Sequence, residues 1–244
     1  MKGVAVLLLL AGTAQAQTIA QRVGRAPDGS VRMTFAAKPG VCGNGRNIST
    51  SAGSSEWESD CDTGPVRVAL TLRNRSVTDV RTYVGGRWRA STAGVTDLGT
   101  VGAREAVDYL VGLANRDDAE GREAIFPATL ADSVTIWPML LSLARNPTTS
   151  NAARKQAVFW LGQAAGAAAT AGLDSIVYVD SVDRSIKEQA VFALSQRPKD
   201  ESIPVLIRVA RTHRDPAIRK KALFWLAQSG DDRALAVFEE MLSR

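Results

Sequence analysis

One short pattern recurs four times in the second half of the chain, and it limits the fold more than any other feature. A small alanine, a β-branched or leucine residue and a phenylalanine or its neighbour appear in phase around Ala124, Ala157, Ala190 and Ala222. The alanines stand 33, 33 and 32 residues apart. The runs after the second and fourth are nearly identical: Ala157-Val158-Phe159-Trp160-Leu161 and Ala222-Leu223-Phe224-Trp225-Leu226. The third carries Ala193 where the others carry Trp160 and Trp225, an order of large, small and large that lets neighbouring units interlock. A period in this range marks a stack of helix pairs, in which each unit buries its apolar surface only against its neighbours. The second half of each unit also aligns: Trp137-Pro138-Met139-Leu140 matches Ile203-Pro204-Val205-Leu206, with each proline expected in the first turn of a second helix. Residues 103–114 fit a lone second helix of an earlier, degenerate unit. The charged last helix, with Arg233, Glu239 and Glu240, suits a terminal unit.

Residues 17–100 read differently. Val31, Met33 and Phe35 alternate with polar residues, as do Val66, Val68, Leu70 and Leu72. That period of two predicts strands with one buried face. Asn74-Arg75-Ser76 turns the chain toward Val77, Val80 and Val84. Pro27-Asp28-Gly29 separates a weak strand at 19–23 from the Val31 strand. Residues 38–64, rich in Gly, Ser and Asn, are expected to form a long loop. The fold class is therefore α+β: a small β module over 17–100, then an all-α solenoid of about four helix pairs over 101–244.

Residues 1–16 read as a signal peptide. Lys2 is positive, residues 4–11 are apolar, and Ala14-Gln15-Ala16 has the small-x-small form that precedes a cut. The apolar run is shorter than the roughly 20 residues a membrane helix needs. The expected location is periplasmic or secreted. In an oxidising compartment the two cysteines, Cys42 and Cys61, should bond to each other.

With Lys2 removed the net charge is +4, and it lies wholly in residues 17–100, which hold eleven basic and seven acidic residues. Residues 101–244 hold eighteen of each. Export argues against nucleic acid as the counter-charge and leaves an acidic protein or an anionic envelope polymer.

A period near 33, a basic residue ahead of the Ala-φ-Phe-Trp-Leu helix and Pro-φ-Leu in the second helix resemble bacterial HEAT-like repeats. Segments 154–163 and 220–230 look like those of exported bacterial proteins of this kind. The resemblance covers about 101–244. It implies a curved stack whose second helices line the concave side, and partner binding without catalysis. Phycobilin-lyase-like repeats attach chromophores, and no such site is legible here.

No catalytic motif stands out. The one histidine, His213, reads as an exposed turn residue, and no Gly-x-Ser-x-Gly, His-Glu-x-x-His or phosphate-loop motif occurs. No metal or cofactor is expected. Glu56, Glu58, Asp60 and Asp62 read first as a solvated acidic loop; paired carboxylates could instead serve a hydrolase, or dense ones calcium. Arg87-Trp88-Arg89 follows Gly85-Gly86 and is either a binding hot spot or a core tryptophan between solvated charges. Gln163, Gln196 and Gln228 recur where first helices end and could satisfy their last carbonyls. Arg145, Arg208 and Arg211 on the second helices are the candidate contacts for a protein or peptide. The leading expectation is a non-catalytic scaffold. The alternatives are a carboxylate-dependent hydrolase or anionic-polymer binder acting through the β module, and a structural component without a discrete ligand.

Overall fold

The computed structural model describes residues 17–50, 61–116, 119–164 and 166–243. The N-terminal segment 1–16 and the carboxylates Glu56, Glu58 and Asp60 lie outside them.

The expected strand at 19–23 is a helix, α1 (Ile19–Arg25). Ile19 and Val23 are four apart and bury one face, while Thr18 and Gln21 form a capping box. That S/T-x-x-Q signature is local helix-starting chemistry and outweighs the β propensity of two branched residues. The Ile19 N–H then donates to Glu105 at 2.9 Å, which docks α1 on the following helix.

Four strands form the main sheet: β1 (Gly29–Phe35), β5 (Val66–Arg73), β6 (Ser76–Tyr83) and β7 (Val95–Thr100), in the order β6-β5-β1-β7. β5 and β6 are a hairpin around Asn74 and Arg75, both in the left-handed region at φ 50° and 60°. Such a turn suits the sheet's twist but strains a non-glycine residue. Asp28 offsets the strain: its carboxylate accepts from the Asn74 N–H at 2.7 Å and the Arg75 N–H at 3.1 Å. A register shift at Thr71/Leu72 explains why the buried valines of β6, Val77 and Val80, are three apart rather than two. β7 runs parallel to β1, a pairing with no marker in the sequence.

The region 38–64 is less irregular than a loop. Its described part contains a second small sheet of β2 (Cys42–Asn44), β3 (Asn47–Ser49) and β4 (Asp62–Thr63) in the order β3-β2-β4. The disulfide Cys42–Cys61 is formed, with Cα atoms 5.2 Å apart. Closing a loop of this length contributes about 3 kcal/mol in the chain-entropy view.

Helices follow in pairs: α2 (Ala103–Ala114), α3 (Ala119–Thr129), α4 (Trp137–Arg145), α5 (Asn151–Gln163), α6 (Ala167–Tyr178), α7 (Arg184–Ser195), α8 (Lys199–Thr212), α9 (Pro216–Gln228) and α10 (Asp232–Leu242). The first helices α3, α5, α7 and α9 touch in series, and so do the second helices α2, α4, α6, α8 and α10. Ala124, Ala157, Ala190 and Ala222 are all fully buried, since a methyl group is what the closest helix approaches admit. Gly162 of α5 comes so near α7 that a Cβ there would lie 3.0 Å from the Ala193 Cβ. Elsewhere aromatic pairs fill the seam. Phe126 stacks on Trp160, and Phe192 lies against Trp225, with centroids 5.2 and 5.1 Å apart. Pro138 sits at the start of α4 as expected, but Pro204 lies a full turn inside α8, which begins at Lys199.

The sheet's apolar face does not end at residue 100. Val31, Met33, Phe35, Val68 and Leu70 share a core with Ala106, Val107 and Leu110 of α2 and Ala124 and Ala128 of α3, while Ile125 on α3 enters the solenoid core. The solenoid is thus built onto one face of the sheet and leaves the other face open.

Candidate functional site

The open face of the sheet carries the residues that the β period sends outward: Arg32 and Thr34 on β1, Arg67 on β5 and Tyr83 on β6. Register places Thr34 opposite Arg67, and Arg67 opposite Tyr83. After β6 the chain turns through Gly85 and Gly86, both at positive φ. Gly85 cannot be replaced without movement, because a Cβ would lie 2.3 Å from the Gly43 carbonyl oxygen. This turn brings Arg87-Trp88-Arg89 back across the sheet. Trp88 Nε1 donates to Thr34 Oγ1 at 3.0 Å, its ring meets Tyr83 edge-on at 5.8 Å, and the Arg32 guanidinium lies 5.4 Å from the ring centroid. Trp88 is therefore half-buried on the outer face and not in the core. Arg32 also donates to the Arg89 carbonyl at 2.8 Å and pairs with Asp97 at 2.8 Å. Burial pushes the Asp97 carboxyl up, but the Gly99 N–H and Arg32 outweigh it and hold it below the usual range.

These groups surround a cleft of about 460 Å³ lined by Arg32, Arg67, Tyr83, Arg87, Trp88 and Arg89, with Asn44 and Gly45 on its far wall. Arg67 spends Nη1 on the carbonyls of Gly85 (3.1 Å) and Pro65 (3.4 Å). Among the described residues, Arg67, Arg87 and Arg89 have no carboxylate partner, and no acidic side chain lines the cleft.

A second set of residues crosses the solenoid's second helices. Arg145 on α4 donates to Ser175 on α6. Asp174 on α6 pairs with Arg208 on α8 at 2.5 Å, and that guanidinium lies 5.5 Å from the centre of the Tyr178 ring. The Asp174 carboxylate raises the Arg208 pKa. Tyr178 meets Thr212 Oγ1 at 3.3 Å, and Arg211 pairs with Glu240 on α10. The three arginines singled out from the sequence thus lie in one connected strip from α4 to α10, each already engaged with the neighbouring unit. Tyr178 belongs to it too, at 38% exposure.

Residues 176–244 match the family of HEAT repeats. The match spans the end of α6 and all of α7, α8, α9 and α10, and the helix pairs before it continue the same packing. HEAT repeats are generally protein-interaction scaffolds. No curated protein matches the chain.

Other residues are structural. His213 is buried, at 3% exposure, not exposed as its turn position suggested. Its Nε2 meets the Val177 carbonyl and its Nδ1 accepts from the Asp215 N–H, both at 3.0 Å, so neither nitrogen remains for a nucleophile. The recurrent glutamines do not cap the first helices. Gln163, Gln196 and Gln228 are exposed, and the end of α5 is capped by Arg197 instead. Arg197 donates to the carbonyls of Gly162, Ala164 and Gly166, to Thr170 and to Glu201. Arg154, also buried, donates to the Ala144 carbonyl and pairs with Asp183. Among the described residues no cluster of three His, Cys, Asp or Glu side chains is arranged around a metal-sized gap, and no helix is long and apolar enough to cross a membrane. Asp62, the one described member of the acidic quartet, is exposed.

The outward positions of Arg32 and Arg67 were legible in the strand alternation. Their meeting with Trp88 was not, because it depends on strand register and on the Gly85 turn.

Proposed function

We propose that this protein is a non-catalytic interaction scaffold of the cell envelope, exported at the cost of residues 1–16, and that a protein or peptide partner docks on the strip formed by Arg145, Tyr178, Arg208 and Arg211. The observation that carries this reading is the continuity of the strip across α4, α6, α8 and α10, with half-exposed arginines and a tyrosine at its centre. Arginine and tyrosine supply much of the binding energy at protein interfaces, because each offers a large contact area with a polar end. Asp174 and Glu240 hold the two arginines in place before a partner arrives, which reduces the ordering cost of binding. An acidic segment of the partner would exchange with those carboxylates. The disulfide supports an oxidising compartment, and the HEAT match supports protein binding.

The test is capture on the mature chain from the native exported fraction with mild cross-linking. One dominant protein should be retained, and it should be lost when Arg208→Glu and Arg211→Glu are combined, while circular dichroism of the double variant stays native. Retention of the same protein by the folded double variant overturns the docking site. An N-terminus other than Gln17 on the purified protein overturns the cleavage.

A further inference from the structure

We infer that the open face of the sheet is a second binding site, independent of the solenoid strip, and that it takes an acidic glycan: a carboxylate on Arg67, Arg87 and Arg89, with a sugar ring laid against Trp88 and Tyr83. The charge comes first. Four arginines line one cleft and only Arg32 has a carboxylate partner among the described residues. Asp62 stands beside Gly85 at the rim but pairs with none of them. Arg67 is half-buried, and its remaining donors have no protein acceptor among the described residues. A guanidinium fork of this kind is matched by a carboxylate, which it holds through two parallel bonds.

The shape decides the class. Trp88 has its N–H spent on Thr34 and one ring face on Arg32, so what it offers is a flat apolar surface with no donor. That suits the apolar face of a pyranose ring. An extended peptide would need a strand edge for its backbone, but Arg32 and Arg67 stand on β1 and β5, each paired on both sides in the order β6-β5-β1-β7, and the edge strands give the cleft only Tyr83 and Val95. The volume lies within the range of about 300–1,000 Å³ usual for small-ligand sites. Asn44 adds an amide for ring hydroxyls. The overall charge agrees, since four of the five net positive charges lie in residues 17–100.

The experiment is calorimetric titration of the full mature chain with a hexamer of galacturonic acid, against a neutral hexamer of N-acetylglucosamine and a hexaglutamate peptide. Expected is saturable binding of the galacturonate that weakens as salt rises, with far weaker binding of the other two. Arg87→Ser with Arg89→Ser should weaken it about tenfold or more, as loss of charge-assisted bonds does. Both side chains are exposed, so this variant keeps its fold. Trp88→Leu should weaken it as well, and the strip variant Arg208→Glu/Arg211→Glu should bind as wild type. Equal binding of the neutral glycan overturns the role of the arginines. Equal binding of hexaglutamate overturns the glycan. No galacturonate binding, or unchanged binding in the Arg87/Arg89 variant, overturns the site.

Discussion

The arginines at the seams of the solenoid and those lining the cleft on the sheet are used differently. In the solenoid Arg154, Arg197, Arg208 and Arg211 all meet a carboxylate, and where buried they also cap a helix end. On the sheet Arg32 pairs with Asp97 and Arg81 with Asp79, but Arg67, Arg87 and Arg89 meet no carboxylate among the described residues. The difference follows from architecture. A repeat stack has many helix termini with unpaired carbonyls, and it places equivalent positions of successive units side by side, so cations and anions can be paired from unit to unit. A sheet face has no such termini, and its outward side chains need only water or a ligand. The solenoid's charges serve first to join units, and the cleft's charges are available for something else.

Four substitutions or conditions test that contrast, and the largest effect is expected at the buried end. Arg197→Ala takes away the side-chain partner of the Gly162 and Ala164 carbonyls and the cation beside Glu201, and should cost about 3 kcal/mol in urea unfolding. Arg197→Lys should recover only part, since a point charge cannot span several carbonyls. A loss well below that would mean the seam is held by apolar contacts alone. Next is Gly162→Val, whose added atoms meet Ala193; about 2 kcal/mol is expected, with partial recovery when Ala193→Gly is added. Additive losses in the double variant would show that the two residues do not share the seam.

Acid should act more gently and on both regions, since the Asp28 and Asp97 carboxyls of the sheet are held below their ordinary range as well. The carboxyls of Glu201 (bonded by Thr170 and Arg197) and Asp215 (by the Ala217 N–H and Arg184) lie below their ordinary values, and that of Asp231 is held at about 2 by Arg233. A depressed folded-state pKa contributes stability that is complete above the unfolded value, near 4, and is lost as pH falls through the folded one. The melting temperature should therefore drop between about pH 4 and about pH 2, and the drop should be shallower in Arg197→Ala. An equally steep acid limb in that variant would remove Glu201 from the account. The smallest effects belong to exposed arginines: Arg208→Ala or Arg211→Ala should cost about 0.5 kcal/mol or less, and Arg87→Ser about nothing, read from the same urea curves. A larger loss at Arg208 would mean that the strip is a structural seam and not a docking surface.

The phase of the repeat and the burial of Ala124, Ala157, Ala190 and Ala222 could be read before any coordinates, as could the close seam marked by Ala193 and the inward faces of β1 and β5. The strand expected at 19–23 failed because two branched residues outvoted a capping box. His213 was misplaced because a turn position says nothing about whether the preceding unit folds over it, as Val177 and Tyr178 do.

What the sequence determined by itself is therefore everything set by spacing along the chain: the helix pairs, the alternating strands, and the single disulfide that two cysteines allow. Only the tertiary structure decided that β7 joins β1 in parallel, that the solenoid stands on one face of the sheet, and that Arg67 and Trp88 share a cleft. Side chains a few residues apart are placed by the local backbone period. Those brought together from separate strands depend on register and turn geometry, which short-range spacing does not encode.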